Sequence, residues 1–258
     1  MSVQFCDSRK NAIETLPERF ERKYYLTPRT VSLAYGLLRH VCLPADEFYY
    51  EQINSLYFDT VDLDQHERSV SGDYEKDKIR VRWYGDNLDT GGKQTVFLEL
   101  KSRRGFASTK QRHKLQVPTE SLTSDNLRKG IIPRTLLIDT LVGFGYFPTQ
   151  MLHPVIKISY WRYRFSEVMT HQRVSLDYRI RSTMILPGAG NGEKELEIPG
   201  GLIEIKGQTM ELPATLMRAS VLDTNWTRFS KYSTCIESHH EKPGTLGRLS
   251  PSGRIIEL

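Results

Sequence analysis

The sequence predicts an α+β fold, a single β-rich domain with packed helices whose antiparallel sheet curls into a closed barrel. Three observations lead there. At least six segments alternate ionic and apolar residues with period two, the mark of strands with one buried face. The ionic faces are dominated by Lys and Arg, whereas an open solvated sheet would mix signs through cross-strand pairs. Curling the sheet gathers those faces into one cationic tunnel and leaves the apolar faces outside, under helices. Internal carboxylates or a bound polyanion must then compensate the charge, because unpaired buried charge is costly.

Taken in order, residues 1–17 show no clear periodicity. Phe20 to Leu26 reads as a strand with Glu21 and Lys23 on one face and Phe20, Tyr24 and Leu26 on the other. Thr27-Pro28 reads as an N-cap followed by proline at the first helical position. Val31, Leu33, Ala34, Leu37, Leu38 and Val41 then recur at helical spacing, and the helix ends before Pro44. Strands follow at 52–60 and 78–84, the latter setting Lys78, Arg80 and Arg82 against Ile79, Val81 and Trp83. Residues 85–94, with Gly85, Asn87, Gly91 and Gly92, turn the chain into a strand from Thr95 to Lys101. There Phe97, Glu99 and Lys101 oppose Val96, Leu98 and Leu100. Arg104-Gly105 is a turn, and Lys114 to Val117 the next strand.

Residues 121–147 read as two helices, a short one over Ser124–Lys129 capped by Gly130, and one carrying Leu136, Leu137, Leu141 and Val142 that ends near Gly143 and Gly145. Strands resume at Val155–Phe165, Arg173–Ile180 and Leu202–Lys206. In these, Tyr160, Arg162 and Arg164 share a face, as do Arg173, Ser175 and Asp177, and Glu204 and Lys206. Pro187–Gly192 is a glycine-rich loop. Helices are predicted over Pro213–Leu222 and Arg228–Ile236, and from Ser238 the chain is a polar, mobile tail. The domain boundaries are therefore 1–17, an N-terminal segment; 18–237, the folded domain; and 238–258, the tail.

Composition narrows the class. Hydrophobic residues make up 38% of the chain, and 13 Tyr and 10 Phe help to fill a core, while the 26% charged share is ordinary. Disorder of the whole chain is excluded on that basis. No run approaches the roughly 18 apolar residues of a membrane span, and Met1–Lys10 carries no apolar signal region. Cys6, Cys42 and Cys235 are too widely spaced for a zinc pattern and too few for a disulfide framework. The expectation is a reduced, soluble, cytoplasmic protein. A net charge of +5 points to an anionic partner. Few aromatic residues share the basic faces, which argues against stacking of nucleic-acid bases. No phosphate-binding glycine loop is present, since Gly188–Glu195 fails the pattern, nor is any zinc-protease, serine-hydrolase or kinase signature. His239-His240 falls in the tail. Phosphate, if bound, must be held by side chains.

Nine segments in order then resemble one family. They are Phe20–Tyr24 (FERKY), Leu56–Thr60 (LYFDT), Lys78–Tyr84 (KIRVRWY), Phe97–Lys101 (FLELK), Lys110–Arg112 (KQR), Tyr160–Arg162 (YWR), Arg173–Asp177 (RVSLD), Leu202–Lys206 (LIEIK) and Phe229–Tyr232 (FSKY). Together they look like the polyphosphate polymerase domain of the vacuolar transporter chaperone (VTC) proteins, a branch of the CYTH-like triphosphate tunnel metalloenzymes. The resemblance covers residues 18 to 236 and implies an eight-stranded antiparallel barrel with a charged interior. It implies that Lys23, Arg80, Arg82, Lys101, Lys110, Arg162 and Arg173 act on phosphate. It further implies that Lys231 and Arg228 are C-terminal basic contacts and that Tyr160 and Ser230 donate hydroxyls near the nucleotide. Glu204 matches the carboxylate that holds a divalent metal, Mn2+ or Mg2+, and hard oxygen ligands suit either ion.

One departure bears on the reaction. Hydrolytic tunnel enzymes often begin with E-x-E-x-K, and here the positions are Arg19, Glu21 and Lys23. The missing carboxylate favours transfer of phosphate to phosphate over hydrolysis. The resemblance therefore implies an ATP-dependent polyphosphate polymerase that passes the γ-phosphate to a growing chain and releases ADP. Its partners would be ATP and inorganic polyphosphate, with no nucleic acid and no membrane segment in this chain; a separate membrane partner stays open. A metal-dependent triphosphatase and a non-catalytic polyphosphate or nucleic-acid binding module remain the alternatives.

Overall fold

The computed structural model describes residues 20–85, 91–105, 107–186, 194–208, 211–217 and 228–240. The strands are β1 (Phe20–Leu26), β2 (Cys42–Pro44), β3 (Tyr50–Asp59), β4 (Glu75–Tyr84), β5 (Lys93–Arg104), β6 (Ala107–Pro118), β7 (His153–Glu167), β8 (Arg173–Met184) and β9 (Leu196–Gly207). The helices are α1 (Val31–Val41), α2 (Asp64–Ser71), α3 (Ser124–Leu127), α4 (Arg134–Gly143), α5 (Ala214–Met217) and α6 (Lys231–His240). No helix among the described residues is long and apolar enough to cross a membrane.

All pairings are antiparallel, and the sheet runs β1-β9-β8-β7-β3-β4-β5-β6, with β2 added on β7. This corrects the predicted closed, eight-stranded barrel: among the described residues the sheet has nine strands, and its end strands β1 and β6 do not pair. The sheet nevertheless curls far enough that Lys101 on β5 reaches Glu21 on β1, Nζ to Oε2, at 3.3 Å. Zipping the two edges to the ladder spacing of about 4.8 Å would press Lys101 and Lys110 against Lys23. Like-charge repulsion on the inner face opposes that closure.

Much of the curl is built at aligned irregularities. The β3–β7 register shifts at Tyr57/Phe58, β7–β8 at Ser159/Trp161, and β8–β9 at Tyr178/Ile180. Bulges of this kind increase local twist and bend a sheet. Arg179 takes a left-handed φ of 49° at one of them. Gly200 has φ +89°, and a Cβ there would stand 2.0 Å from the Leu26 carbonyl oxygen, so only glycine fits.

Two apolar layers lie outside. Leu56, Phe58, Ile79, Val81, Trp83, Val96, Leu98 and Leu100 pack under Leu127 of α3 and Leu137 and Leu141 of α4. Phe165, Val174, Leu176, Ile203 and Ile205 pack under Ala34 and Leu38 of α1 and Leu216 of α5. The third layer is inside. There Tyr232, Cys235 and Ile236 of α6, with Phe229 just before it, meet Ile156, Ile158, Ile180, Met184, Ile198 and Leu202. Helix α6 thus stoppers one end of the curl. Asp59, fully buried, fixes it there by accepting bonds from Tyr232 Oη at 2.5 Å and from the Thr60, Gln65 and His66 amides at 2.8–3.0 Å.

Several elements depart from expectation. Helix α1 begins at Val31 behind a turn, not at Pro28. Strand β6 starts at Ala107 and so carries Lys110 and Arg112 on a strand. Strand β2 and helix α2 were not predicted, and α6 runs on to His240, where a tail was expected from Ser238. His239 is buried, its Nε2 3.1 Å from Ser182 Oγ. Helix α3 stops at Leu127 with Arg128 at its C-cap, two residues short of the expected Lys129, and Gly130 takes a left-handed φ of 90° in the turn that follows. Cys42 and Cys235 are free and buried, and burial pushes both thiols up to about 12. Arg19, the Pro187–Gly192 loop, residues 218–222 of the expected 213–222 helix and Cys6 lie outside the described residues.

Candidate functional site

Cross-strand partners share a face in an antiparallel ladder, so the registers decide which side chains line the inside. Glu21 opposes Lys206 and Lys23 opposes Glu204 across β1–β9. Asp177 opposes Arg162, and Arg173 opposes Lys206. Arg80 opposes both Tyr57 and Glu99, Lys78 opposes Lys101, and Lys101 opposes Lys110. The inner face therefore gathers Lys23, Lys78, Arg80, Arg82, Lys101, Lys110, Arg162, Lys206 and, from α6, Lys231. Its carboxylates are Glu21, Glu51, Glu99, Asp177 and Glu204, fewer than the cations.

The carboxylates organise the cations into three knots. In the first, Arg80 Nε and Nη2 donate to Glu99 Oε2 at 2.9 and 2.7 Å, and Lys110 Nζ sits 2.8 Å from Oε1. Burial would raise the Glu99 carboxyl, but Arg80, Arg82 and Lys110 hold it well below the usual carboxylate range. In the second, Arg162 Nε and Nη2 grip the two Asp177 oxygens at 2.6 and 2.7 Å, and Lys231 Nζ stands 2.6 Å from Oδ2. Burial opposes ionisation here too, and Arg162 and Lys231 overcome it. In the third, Glu204 meets Lys206 at 2.9 Å and Arg162 at 3.1 Å, while Glu21 meets Lys23 at 3.0 Å.

Among the described residues, Arg82, Lys78 and Arg173 show no ion pair with a carboxylate. Arg82 donates to Ser55 Oγ at 3.2 Å and to Tyr160 Oη at 3.3 Å, and Arg82, Arg162 and Lys231 together draw the buried Tyr160 phenol below its usual value. Lys78 Nζ donates to Ser230 Oγ at 2.8 Å. Burial, reinforced by Lys23, Lys101, Arg80 and Lys76, pulls its ammonium down to about 7. Arg173 lies exposed at the end of β8. Burial likewise pulls Lys110 down to about 7 against the opposing pull of Glu99, with Arg80 and Arg82 adding to the depression. A surface that strains its ammonium groups in this way is arranged to receive negative charge.

The structure thus brings Lys23, Arg80, Arg82, Lys101, Lys110, Tyr160, Arg162, Glu204, Ser230 and Lys231 to one lined interior. Arg173 lies at its rim. Arg228 is exposed just ahead of α6, near enough to Lys76 to add to the burial that lowers that ammonium. The sequence reading assigned no role to Lys78, Glu99, Asp177 or Lys206. Their signal was present in the alternation, since each occupies an ionic position on a strand whose other ionic residues were chosen.

Among the described residues there is no group of three or more His, Cys, Asp or Glu that could hold a metal. Two carboxylates, Glu21 and Glu204, stand on the adjacent strands β1 and β9, and Lys206, Arg162 and Lys23 overcome burial to keep Glu204 well below its ordinary pKa. Ionised carboxylate oxygens are hard donors that suit Mg2+ or Mn2+, with phosphate oxygens completing the shell.

Comparison with known proteins gives one decisive match. No curated protein matches the chain. Among solved structures, a candidate adenylate cyclase from Bacillus halodurans superposes with a TM-score of 0.49 at 16% identity, covering 81% of this chain and 92% of its own. A Hippeastrum candidate adenylyl cyclase with a dominant triphosphatase activity gives 0.49 at 16% identity over 88% and 98%. The family model for the VTC domain matches residues 18–240, from just ahead of β1 through the end of α6. With the inner face assembled from those residues, the chain belongs to the VTC domain family.

Proposed function

We propose that the chain is an ATP-dependent polyphosphate polymerase, transferring the γ-phosphate of ATP to the end of a polyphosphate chain and releasing ADP. The observation that carries this reading is the convergence of Arg80, Arg82, Lys101, Lys110, Arg162 and Lys231 on one enclosed face whose carboxylates leave positive charge in excess. Phosphoryl transfer asks for charge stabilisation and in-line positioning more than for covalent chemistry. Guanidinium groups fixed by Glu99 and Asp177 are preorganised donors, and their orientation need not be rebuilt as charge develops on the transferring oxygens. The acceptor is a terminal phosphate, already largely ionised at neutral pH, so no strong base is required. Glu204, with Glu21 beside it, would hold a divalent cation, which supplies further neutralisation of the triphosphate when bound.

Hydrolysis of a triphosphate is the second reading, favoured by the two carboxylates Glu21 and Glu204 on the adjacent strands β1 and β9. Purified protein incubated with ATP and Mn2+ separates the two on a polyphosphate-stained gel. Long chains with ADP are the expected products. Free phosphate without chains would overturn polymerisation in favour of the triphosphatase.

A further inference from the structure

The inner face does not end in cations. Continuing along the ladders from Arg80, the next pairs are Arg82 with Phe97 and Ile53 with Tyr84, and Ile53 also opposes Tyr160. Tyr84 and Phe97 meet edge to face, ring centroids 5.9 Å apart. Arg112 enters from β6, its guanidinium carbon 3.5 Å from the Phe97 centroid and its Nη2 3.5 Å from Tyr84 Oη. Arg112 has only a loose hold on Glu99, at 3.6 Å, whereas Arg80 and Lys110 hold it at 2.7 and 2.8 Å. Its side chain is 42% exposed, against 20% for Arg80.

From Arg112, Phe97 and Tyr84, we infer a subsite for the base of a nucleoside triphosphate, with the Arg112 guanidinium as its stacking plane. Arginine planes accept nucleobases face to face, and one backed by an aromatic ring is fixed before the ligand arrives. The placement suits such a ligand. Arg80 and Tyr84 are four residues apart on one strand, roughly 13 Å at the strand rise, so a triphosphate on the Arg80–Arg82–Lys110 cluster directs its base toward Tyr84. The sequence reading expected few aromatic residues on the basic faces and placed Phe97 and Tyr160 there; the ladder adds Tyr57 and Tyr84.

This inference rests on the reading of the interior as a triphosphate site, and direct binding separates the two. Titrate ATP and inorganic tripolyphosphate in turn into metal-free protein by calorimetry, with parent, Arg112→Ala, Arg112→Lys and Phe97→Leu. Loss of one stacked base weakens ATP roughly 5- to 150-fold, and tripolyphosphate should stay within about two-fold of the parent. Arg112→Lys keeps the charge without the plane and should resemble Arg112→Ala for ATP. Equal weakening of both ligands, or a lysine variant that binds ATP like the parent, would overturn the base subsite and leave the triphosphate site standing. Parent protein that binds neither ligand would overturn both. Unchanged thermal melting of the Arg112 variants, expected from their exposure, keeps misfolding out of the comparison.

Discussion

Lys231 Nζ stands 2.6 Å from Asp177 Oδ2, tying the first residue of α6 to the middle of the sheet's inner face. The same carboxylate holds Arg162, and it is fully buried. Removing its charge leaves Lys231 without its carboxylate and Arg162 with Glu204 alone. Asp177→Asn should therefore lower unfolding stability by about 3–5 kcal/mol, the usual cost of breaking a buried pair from one side. Urea denaturation measures it, and added tripolyphosphate should restore part of the loss by supplying the missing anion. A variant as stable as the parent would show that Asp177 does not hold this knot together.

Glu204→Gln keeps the size of the side chain and removes the charge that suits a divalent cation. Metal-dependent turnover should fall strongly while metal-free ATP binding persists through Arg80, Arg82 and Lys110. Parental Mn2+-dependent rates in this variant would take Glu204 out of metal binding.

Lys101→Ala and Arg82→Ala test whether the inner cations act on phosphate. Loss of a preorganised donor to the transferring group costs roughly 3–4 kcal/mol, or about 10²–10³ in rate, whereas removal of a solvated cation costs under about 1 kcal/mol. Arg29→Ala, exposed in the turn after β1, is the matched control and should keep the parental rate. Three variants with equal rates would reduce the interior to ordinary charged surface.

Lys78 predicts a pH dependence in two opposite directions. Its ammonium is held at about 7 against an ordinary 10.5, so between those values the unfolded chain binds the extra proton and stability of the free protein rises with pH. A bound polyanion favours the charged form, so binding takes up a proton, and affinity falls as pH rises through 7, by at most about tenfold per unit for this one group. Calorimetry in buffers of differing ionisation enthalpy counts the proton. Lys78→Met should take up fewer protons than the parent; an unchanged count would assign the linkage elsewhere.

Much of this arrangement was legible in the alternation of charged and apolar residues. Lys78, Arg80 and Arg82 face inward and Ile79, Val81 and Trp83 face α4's layer, as a period of two requires. What the period could not show was pairing at the edges, because ladder closure depends on how charges on β1 and β6 confront each other across space. Strand β6 was read short because Ser108 to Arg112 has no apolar residue to mark a buried face. Helix α2 was missed for the same reason, since it buries only Gln65 and His66 and is fixed by bonds to Asp59 rather than by an apolar stripe. The bulge row was hidden too. Pro199-Gly200-Gly201 marks it locally on β9, while Arg179 on β8 adopts a left-handed backbone that its residue type does not advertise.

The unpaired edges of β1 and β6 carry a topological consequence. A closed ring admits a long polymer only by its end, so each encounter must wait for a terminus to find the opening. A clip can be laid over the middle of a strand and lifted off again. Among the described residues, the side chains of Lys101 and Glu21 bridge the two edge strands and no ladder bond joins them. A linear polyanion that can part that contact would reach the interior sideways, with neither of its ends having to enter first.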